Sequence, residues 1–269
     1  MKRIRWTTKS AAALKAMVQA DSVDDAVVLA ITAARKQLAN QGNGGGILAP
    51  PYDPVPLALH FGAQCIQSGD LGHDGHVKKD EDGKIIVEYN RSELSPQRRR
   101  FTIAHETGHL LLWKALGRVL KMPAYRSPRG SEIERLCNKI AAEILTPRRE
   151  VLKLWIEYRN QHGYSRKCEF IVTLMRIFDI SSSFAAVRFR ELCMPNCRAA
   201  FYNSKLNRLE WTHGRLDRAD LFKRMPDLIS KHYEKGVETF ILHPGFDLIN
   251  RRIEWLHLKG GMFLVVVTE

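Results

Sequence analysis

Three observations predict an α+β protein. An H-E-x-x-H string, His105-Glu106-Thr107-Gly108-His109, lies in a helical pattern that a strand-like run precedes. A second amphipathic segment, Ser131 to Leu145, follows it and carries glutamates in its first turn. Beyond Leu192 the helical period gives way to short β-branched and aromatic runs. At roughly 100–200 residues per domain, 269 residues imply two domains, or one with extensions. The division expected is a helical segment with a glycine-rich linker over 1–46, a central domain with a basic helical tail over 47–192, and an α+β accessory region over 193–269.

Each element has a local reason. Ser22 is a capping residue, and Val23, Val27, Ile31 and Ala34 recur at helical spacing as far as Asn40. Gly42-Asn43-Gly44-Gly45-Gly46 breaks the pattern, and the prolines from Pro50 to Pro56 make a turn or docking segment. Leu57 to Gly62 fits a short helix. Asp80-Glu81-Asp82-Gly83 is a turn signal, and Lys84 to Asn90 is a strand by β-branched content. Ser95 as cap and Pro96 at the first helical position open a helix that runs to about Leu116. Ser131 starts the next one and Pro147 stops it. Helical pattern continues to about Leu192. Ala199–Asn203 then pairs with Arg208–Thr212, and Ile253–Leu258 with Met262–Val267 through a turn at Lys259-Gly260-Gly261.

Composition narrows the class. Hydrophobic residues at 45% and charged residues at 26% exclude wholesale disorder and fibrous structure. The net charge of +13 favours nucleic acid, an anionic membrane or an acidic protein as partner. No run approaches the ~18 consecutive apolar residues of a spanning helix. The basic start Met1-Lys2-Arg3-Ile4-Arg5 is not followed by the apolar core of a signal peptide, because Lys15 interrupts it. The expectation is a cytoplasmic protein without membrane contact. Five cysteines form no dense framework, which suits a reducing compartment, and Cys193-x3-Cys197 reads as unrelated thiols.

The chemistry concentrates in the H-E-x-x-H. Spacing of i and i+4 puts His105 and His109 on one helix face, one turn apart, where both imidazoles can hold a single Zn2+. Glu106 sits beside the first ligand, within reach of a water there. Phe101, Ala104 and Leu111 read as the opposite, apolar face. Gly108 costs about 1 kcal/mol relative to Ala in a helix, so a close packing contact is expected at it. A catalytic zinc needs a third protein ligand. Glu134 is the first candidate, because Glu134 and Asn138 share a face and can offer a ligand and a hydrogen-bonding group behind the metal. Glu132, whose i+4 neighbour is Leu136, reads rather as a solvated glutamate, and Cys137, a soft donor in principle, reads rather as a small buried residue.

Arg99-Arg100-Phe101-Thr102-Ile103-Ala104-His105-Glu106-Thr107-Gly108-His109-Leu110-Leu111-Leu112 resembles the first signature of the ImmA/IrrE metallopeptidases. Glu134-Arg135-Leu136-Cys137-Asn138-Lys139-Ile140-Ala141-Ala142-Glu143-Ile144-Leu145-Thr146-Pro147 is similar to the second. Asp82 to Ile86, Phe178 to Ser181 and Arg190 to Leu192 match further segments, so the likeness covers about residues 50–192. Thr107, Cys137, Ile140 and Thr146 stand where the family usually has Leu, Ala, Phe and Met. The resemblance implies a small zincin-like fold with zinc held by His105, His109 and Glu134, and with Glu106 as general base and acid. It implies a bacterial or phage endopeptidase that cleaves or inactivates a helix-turn-helix repressor. The alternative is a non-cleaving regulator that binds DNA or a repressor on the same fold.

Several other features admit more than one reading. The strand Lys84–Asn90 either has a free edge that adds a substrate strand or lies inside its sheet. Tyr125, between the two helices, is a candidate oxyanion donor or a packing residue. Arg98-Arg99-Arg100, in a helix's first turn where the dipole disfavours cations, either find acidic partners, bind an anion or are solvated. Residues 148–190 hold nine Lys/Arg against four Asp/Glu, a basic surface able to contact nucleic acid or simply solvated. His73 and His76 lie in a glycine-rich loop, read as surface rather than as a second metal site.

Overall fold

The structure, a computed structural model, describes residues 9–42, 46–90, 95–117, 131–164, 166–203, 205, 208–213, 239–241, 252–258 and 262–268. It is mixed helix and strand, as the sequence predicts. The chain divides into two compact units: residues 1–148 with 177–179, and residues 149–176 with 180–269. Among the described residues no single helix is long and apolar enough to cross a membrane.

The first unit begins with α1 (Lys9–Val18) and α2 (Val23–Asn40). The sequence reading missed α1, whose alanine-rich run buries Ala11 and Leu14. Ser22 caps α2 by accepting from the Asp25 N–H. A short α3 (Val55–His60) leads to a three-stranded sheet of β1 (Cys65–Gly69), β2 (Gly75–Lys79) and β3 (Ile85–Asn90). Then come the two long helices, α4 (Pro96–Ala115) and α5 (Glu132–Leu145). Ser95 and Ser131 cap them, accepting from the N–H groups of Arg98 and Glu134. The two helices pack on each other, and α1 and α2 pack behind them. Leu110, Leu111, Leu136 and Ile140 are fully or almost fully buried there. Arg35 of α2 donates to the Ile144 carbonyl at 2.6 Å, partnering one of the orphan carbonyls at the end of α5. The loop with Tyr125 lies outside the described residues.

The sheet order β1-β3-β2 settles one open reading. The strand predicted at Lys84–Asn90 is β3, and it is the central strand, parallel to β1 and antiparallel to β2. It has no free edge; the antiparallel edge belongs to β2. The sequence predicts no strand there, since Gly-His-Val-Lys-Lys buries only Val77 and shows no apolar alternation.

The second unit holds α6 (Arg148–His162) from Arg149 onward, most of α7 (Lys167–Phe178), and α8 (Ser182–Leu192). A five-stranded sheet follows, in the order β5-β4-β8-β7-β6. Its strands are β4 (Arg198–Asn203), β5 (Arg208–His213), β6 (Thr239–Ile241), β7 (Arg252–His257) and β8 (Met262–Thr268). Both predicted pairs form, and β4 also pairs antiparallel with β8, which joins them into one sheet. Trp155, Phe170 and Phe189 cluster with ring centroids 5.0–5.7 Å apart. A buried ion pair, Lys167 Nζ to Glu254 Oε1 at 2.5 Å, ties α7 to β7.

Candidate metal centre

The helical repeat stacks Phe101, His105, His109 and Trp113 along one face of α4, with successive ring centroids 6.3, 5.2 and 6.0 Å apart. Phe101 thus shares the histidine face and not the opposite one, as i, i+4 counting already implied. Ala104 and Leu111 do turn into the core. Helix α5 crosses α4 at Gly108. A Cβ there would stand 2.9 Å from the Cys137 Cα, so only glycine allows this approach. The cost of Gly108 in a helix is thereby explained.

The crossing brings α5's polar side chains over the histidines. Of the two glutamates at its start, Glu134 lies within 3.5 Å of both imidazoles. Its Oε2 is 3.1 Å from His105 Nε2, and its Oε1 is 3.5 Å from His109 Nε2. One turn on, Asn138 Oδ1 lies 2.9 Å from His105 Nδ1. An amide oxygen only accepts, so Nδ1 carries the proton and Nε2 is the nitrogen directed at Glu134. Glu106 stands close enough to His105 and Glu134 to feel both charges, and it lies beside the sheet. It is 7% exposed and accepts the Val77 N–H of β2. Thr107 and Thr146 stand where apolar residues were expected, and both are buried; each hydroxyl donates to the carbonyl four residues back.

The electrostatics follow from this burial. Removal from water pushes the Glu106 carboxyl up to about 7; Glu134 adds to the rise, while His105 and the Val77 N–H oppose it. His109 is lowered to about 4 by burial and by His105, against the pull of Glu134. Burial also opposes charge on His105, but the Glu134 hydrogen bond, the Glu106 and Glu134 charges and Asn138 outweigh it and raise its pKa.

The donor set fits a divalent zinc-like ion. Two imidazole nitrogens and a carboxylate converge from one side, and an amide orients one imidazole from behind. The fully buried Cys137 Sγ also lies within 4.8 Å of nitrogens of both histidines.

The edge strand completes the site. Asn90 N–H donates to Asp74 O at one end of the β2–β3 ladder, and Asp80 N–H to Lys84 O at the other. Antiparallel alternation then turns the peptide groups of His76 and Lys78 toward β3 and those of Gly75, Val77 and Lys79 outward. Gly75 seats this strand on α4, since a Cβ there would be 2.4 Å from Thr102 Cγ2. Sequence reasoning missed β2, although the two glycines of Gly72-His73-Asp74-Gly75 were in view.

The remaining candidates have structural roles. Arg98 pairs with Asp74, Arg100 binds Asp179 and the carbonyls of Phe178 and Tyr52, and Arg99 lies 5.3 Å over the Tyr89 ring. Arg98 and Arg100 therefore find acidic partners, whereas Arg99 lies over an aromatic ring. His73 Nε2 is 3.1 Å from His76 Nδ1, and His76 neighbours Glu88, which also binds Lys78.

Comparison with known proteins gives three results. The model of the Peptidase_M78 family, the IrrE N-terminal-like domain, matches residues 66–190. No curated protein sequence matches the chain. A solved structure titled Mycobacterium tuberculosis transcriptional regulator aligns over 97% of this chain and 81% of its own, at 16% identity and a TM-score of 0.48.

Proposed function

From a chain whose residues 66–190 match the model of the Peptidase_M78 family, a family of zincin-like fold, we propose a zinc-dependent endopeptidase that cleaves a protein regulator, a helix-turn-helix repressor being the expected substrate. The observation that carries this reading is the convergence of His105, His109 and Glu134 beside a buried, separately held Glu106. A pure scaffold has no need of a carboxylate removed from water next to its ligands.

In this reading His105, His109 and Glu134 hold the zinc and Asn138 fixes the His105 ring. When bound, the ion supplies Lewis acidity, polarising a carbonyl and making water more acidic. Glu106 takes a proton from water on its carboxylate and returns it to the leaving amine. Its raised pKa, near neutrality, suits both transfers. A cation alongside lowers that pKa and favours the charged, proton-accepting form. The substrate lies extended along β2, pairing with the outward peptide groups of Gly75 and Lys79. The Val77 N–H is already given to Glu106, so the substrate residue opposite Val77 is the one brought beside the base.

The test uses purified zinc-loaded protein and candidate repressors, with and without a chelator. Cleavage should appear only in the loaded wild type and vanish in Glu106→Gln while zinc stays bound. Unchanged biological activity in that variant would instead support the non-cleaving regulator, which the charge of +13 keeps in view.

A further inference from the structure

Resting on the metal reading above, we propose that Cys137 is a further protein ligand, giving the ion a sulfur donor beside the two imidazoles. The argument starts at Gly108. The missing side chain there lets α5 approach until the Cys137 backbone faces the turn between His105 and His109. Whatever residue 137 carries is therefore delivered beneath the two imidazoles. The family-like residue, alanine, would deliver only a methyl group; this chain delivers a thiol.

Distance and surroundings support a ligand. The Cys137 Sγ and nitrogens of His105 and His109 all lie within 4.8 Å of one another. Zinc bonds of about 2.0–2.1 Å to nitrogen and about 2.3 Å to sulfur put such donors roughly 3.6 Å apart in a tetrahedron, so small side-chain rotations close the set. Cys137 is fully buried, and its Sγ has no hydrogen-bond partner among the described residues. Cys168 makes the contrast: equally enclosed, it donates its S–H to the Leu264 carbonyl at 3.7 Å. A buried thiol beside two imidazoles, making no hydrogen bond among the described residues, is placed for a soft cation.

On binding, the S–H bond breaks, its proton passes to solvent and the thiolate pair forms the bond to the ion.

Cobalt(II) reports the difference without any assay of activity. Wild-type protein and Cys137→Ala are each titrated with Co2+. Both should bind one ion and develop visible d–d bands. Wild type alone should show sulfur-to-cobalt charge transfer in the near-ultraviolet. Calorimetry in buffers of different ionisation enthalpy should find one more proton released by wild type. The preference for Cd2+ over Zn2+ should fall by at least about tenfold in Cys137→Ala. Cys137→Ser, closer in size, should also lack the charge-transfer band. If wild type and Cys137→Ala bind Co2+ with the same spectrum, the sulfur ligand is refuted and the three-donor centre stands. If neither binds Co2+ or Zn2+, the metal reading falls as well.

Discussion

Replacing Glu106 by Gln should stabilise the metal-free protein at alkaline pH and hardly change it at acid pH. Burial holds the folded carboxyl near 7, against an ordinary value of 4.5. The folded chain therefore keeps this proton longer than the unfolded chain does. The penalty is absent below pH 4.5, grows as pH rises and is complete above pH 7. The interval from 4.5 to about 7 corresponds to about 3 kcal/mol. His109 works in the opposite sense. Its pKa is lowered from 6.5 to about 4, so its penalty is full at acid pH and gone above 6.5. The two nearly offset each other in the wild type; in the variant the His109 dependence remains, beside that of His105, whose raised pKa loses the upward pull of Glu106. Glutamine keeps a carbonyl oxygen for the Val77 N–H. The assay is urea unfolding in excess chelator at pH 5 and pH 8. The variant should gain about 3 kcal/mol at pH 8 and less than about 1 kcal/mol at pH 5. Saturating zinc should narrow the gap at pH 8. A gain equal at both pH values, or none at pH 8, would refute the claim that a buried, proton-holding carboxyl sits here.

Three further outcomes are expected. Asn138→Ala removes the acceptor on His105 Nδ1 and should weaken zinc binding by about 10–100-fold in a chelator competition. Gly108→Ala drives a methyl group to 2.9 Å from the Cys137 Cα; overpacking of about 1–3 kcal/mol, less about 1 kcal/mol of helix propensity, should leave a net loss in urea unfolding together with weaker zinc binding. Lys167→Met strands a buried carboxylate and should cost about 3–5 kcal/mol, while the double variant Lys167→Met/Glu254→Leu should recover most of it.

What the sequence disclosed divides along physical lines. Helices α4 and α5 were legible because their causes are local. Ser95, Pro96 and Ser131 cap or open them, Pro147 ends one of them, and apolar residues recur at the helical period. The same period put His105 over His109 and Glu134 beside Asn138. Strand β2 was not legible. It is held by main-chain bonds to β3 and by the seat at Gly75, and only Val77 among its side chains is buried. Sheet order was hidden for a related reason. Nothing near β3 announces that β1 and β2 flank it, and the β4–β8 pairing that sets Ala200 against Val265 joins segments far apart in the chain. The helix crossing was half legible. Glycine at position 108 announced a close approach, but only the fold supplies its partner, Cys137.

Burial of an ionisable group does not by itself mark a site, and this chain carries its own control. Glu254 is 1% exposed, yet its two oxygens accept the backbone N–H and the ammonium of Lys167 at 2.5 Å each. Charge there is answered by charge, and the pair serves to dock a helix on a sheet. Among the described residues, no ammonium or guanidinium pairs with Glu106. The Val77 N–H and the neighbouring His105 leave its carboxyl far above the ordinary range, because burial and Glu134 outweigh them. Two residues along the same helix, Gly108 gives up propensity so that α5 can come near. Two unfavourable choices within one turn, both directed at the space between α4, α5 and the edge of β2, are what a fold tolerates where chemistry repays it. A cation held by His105, His109 and Glu134 is the element that would relieve the first and justify the second.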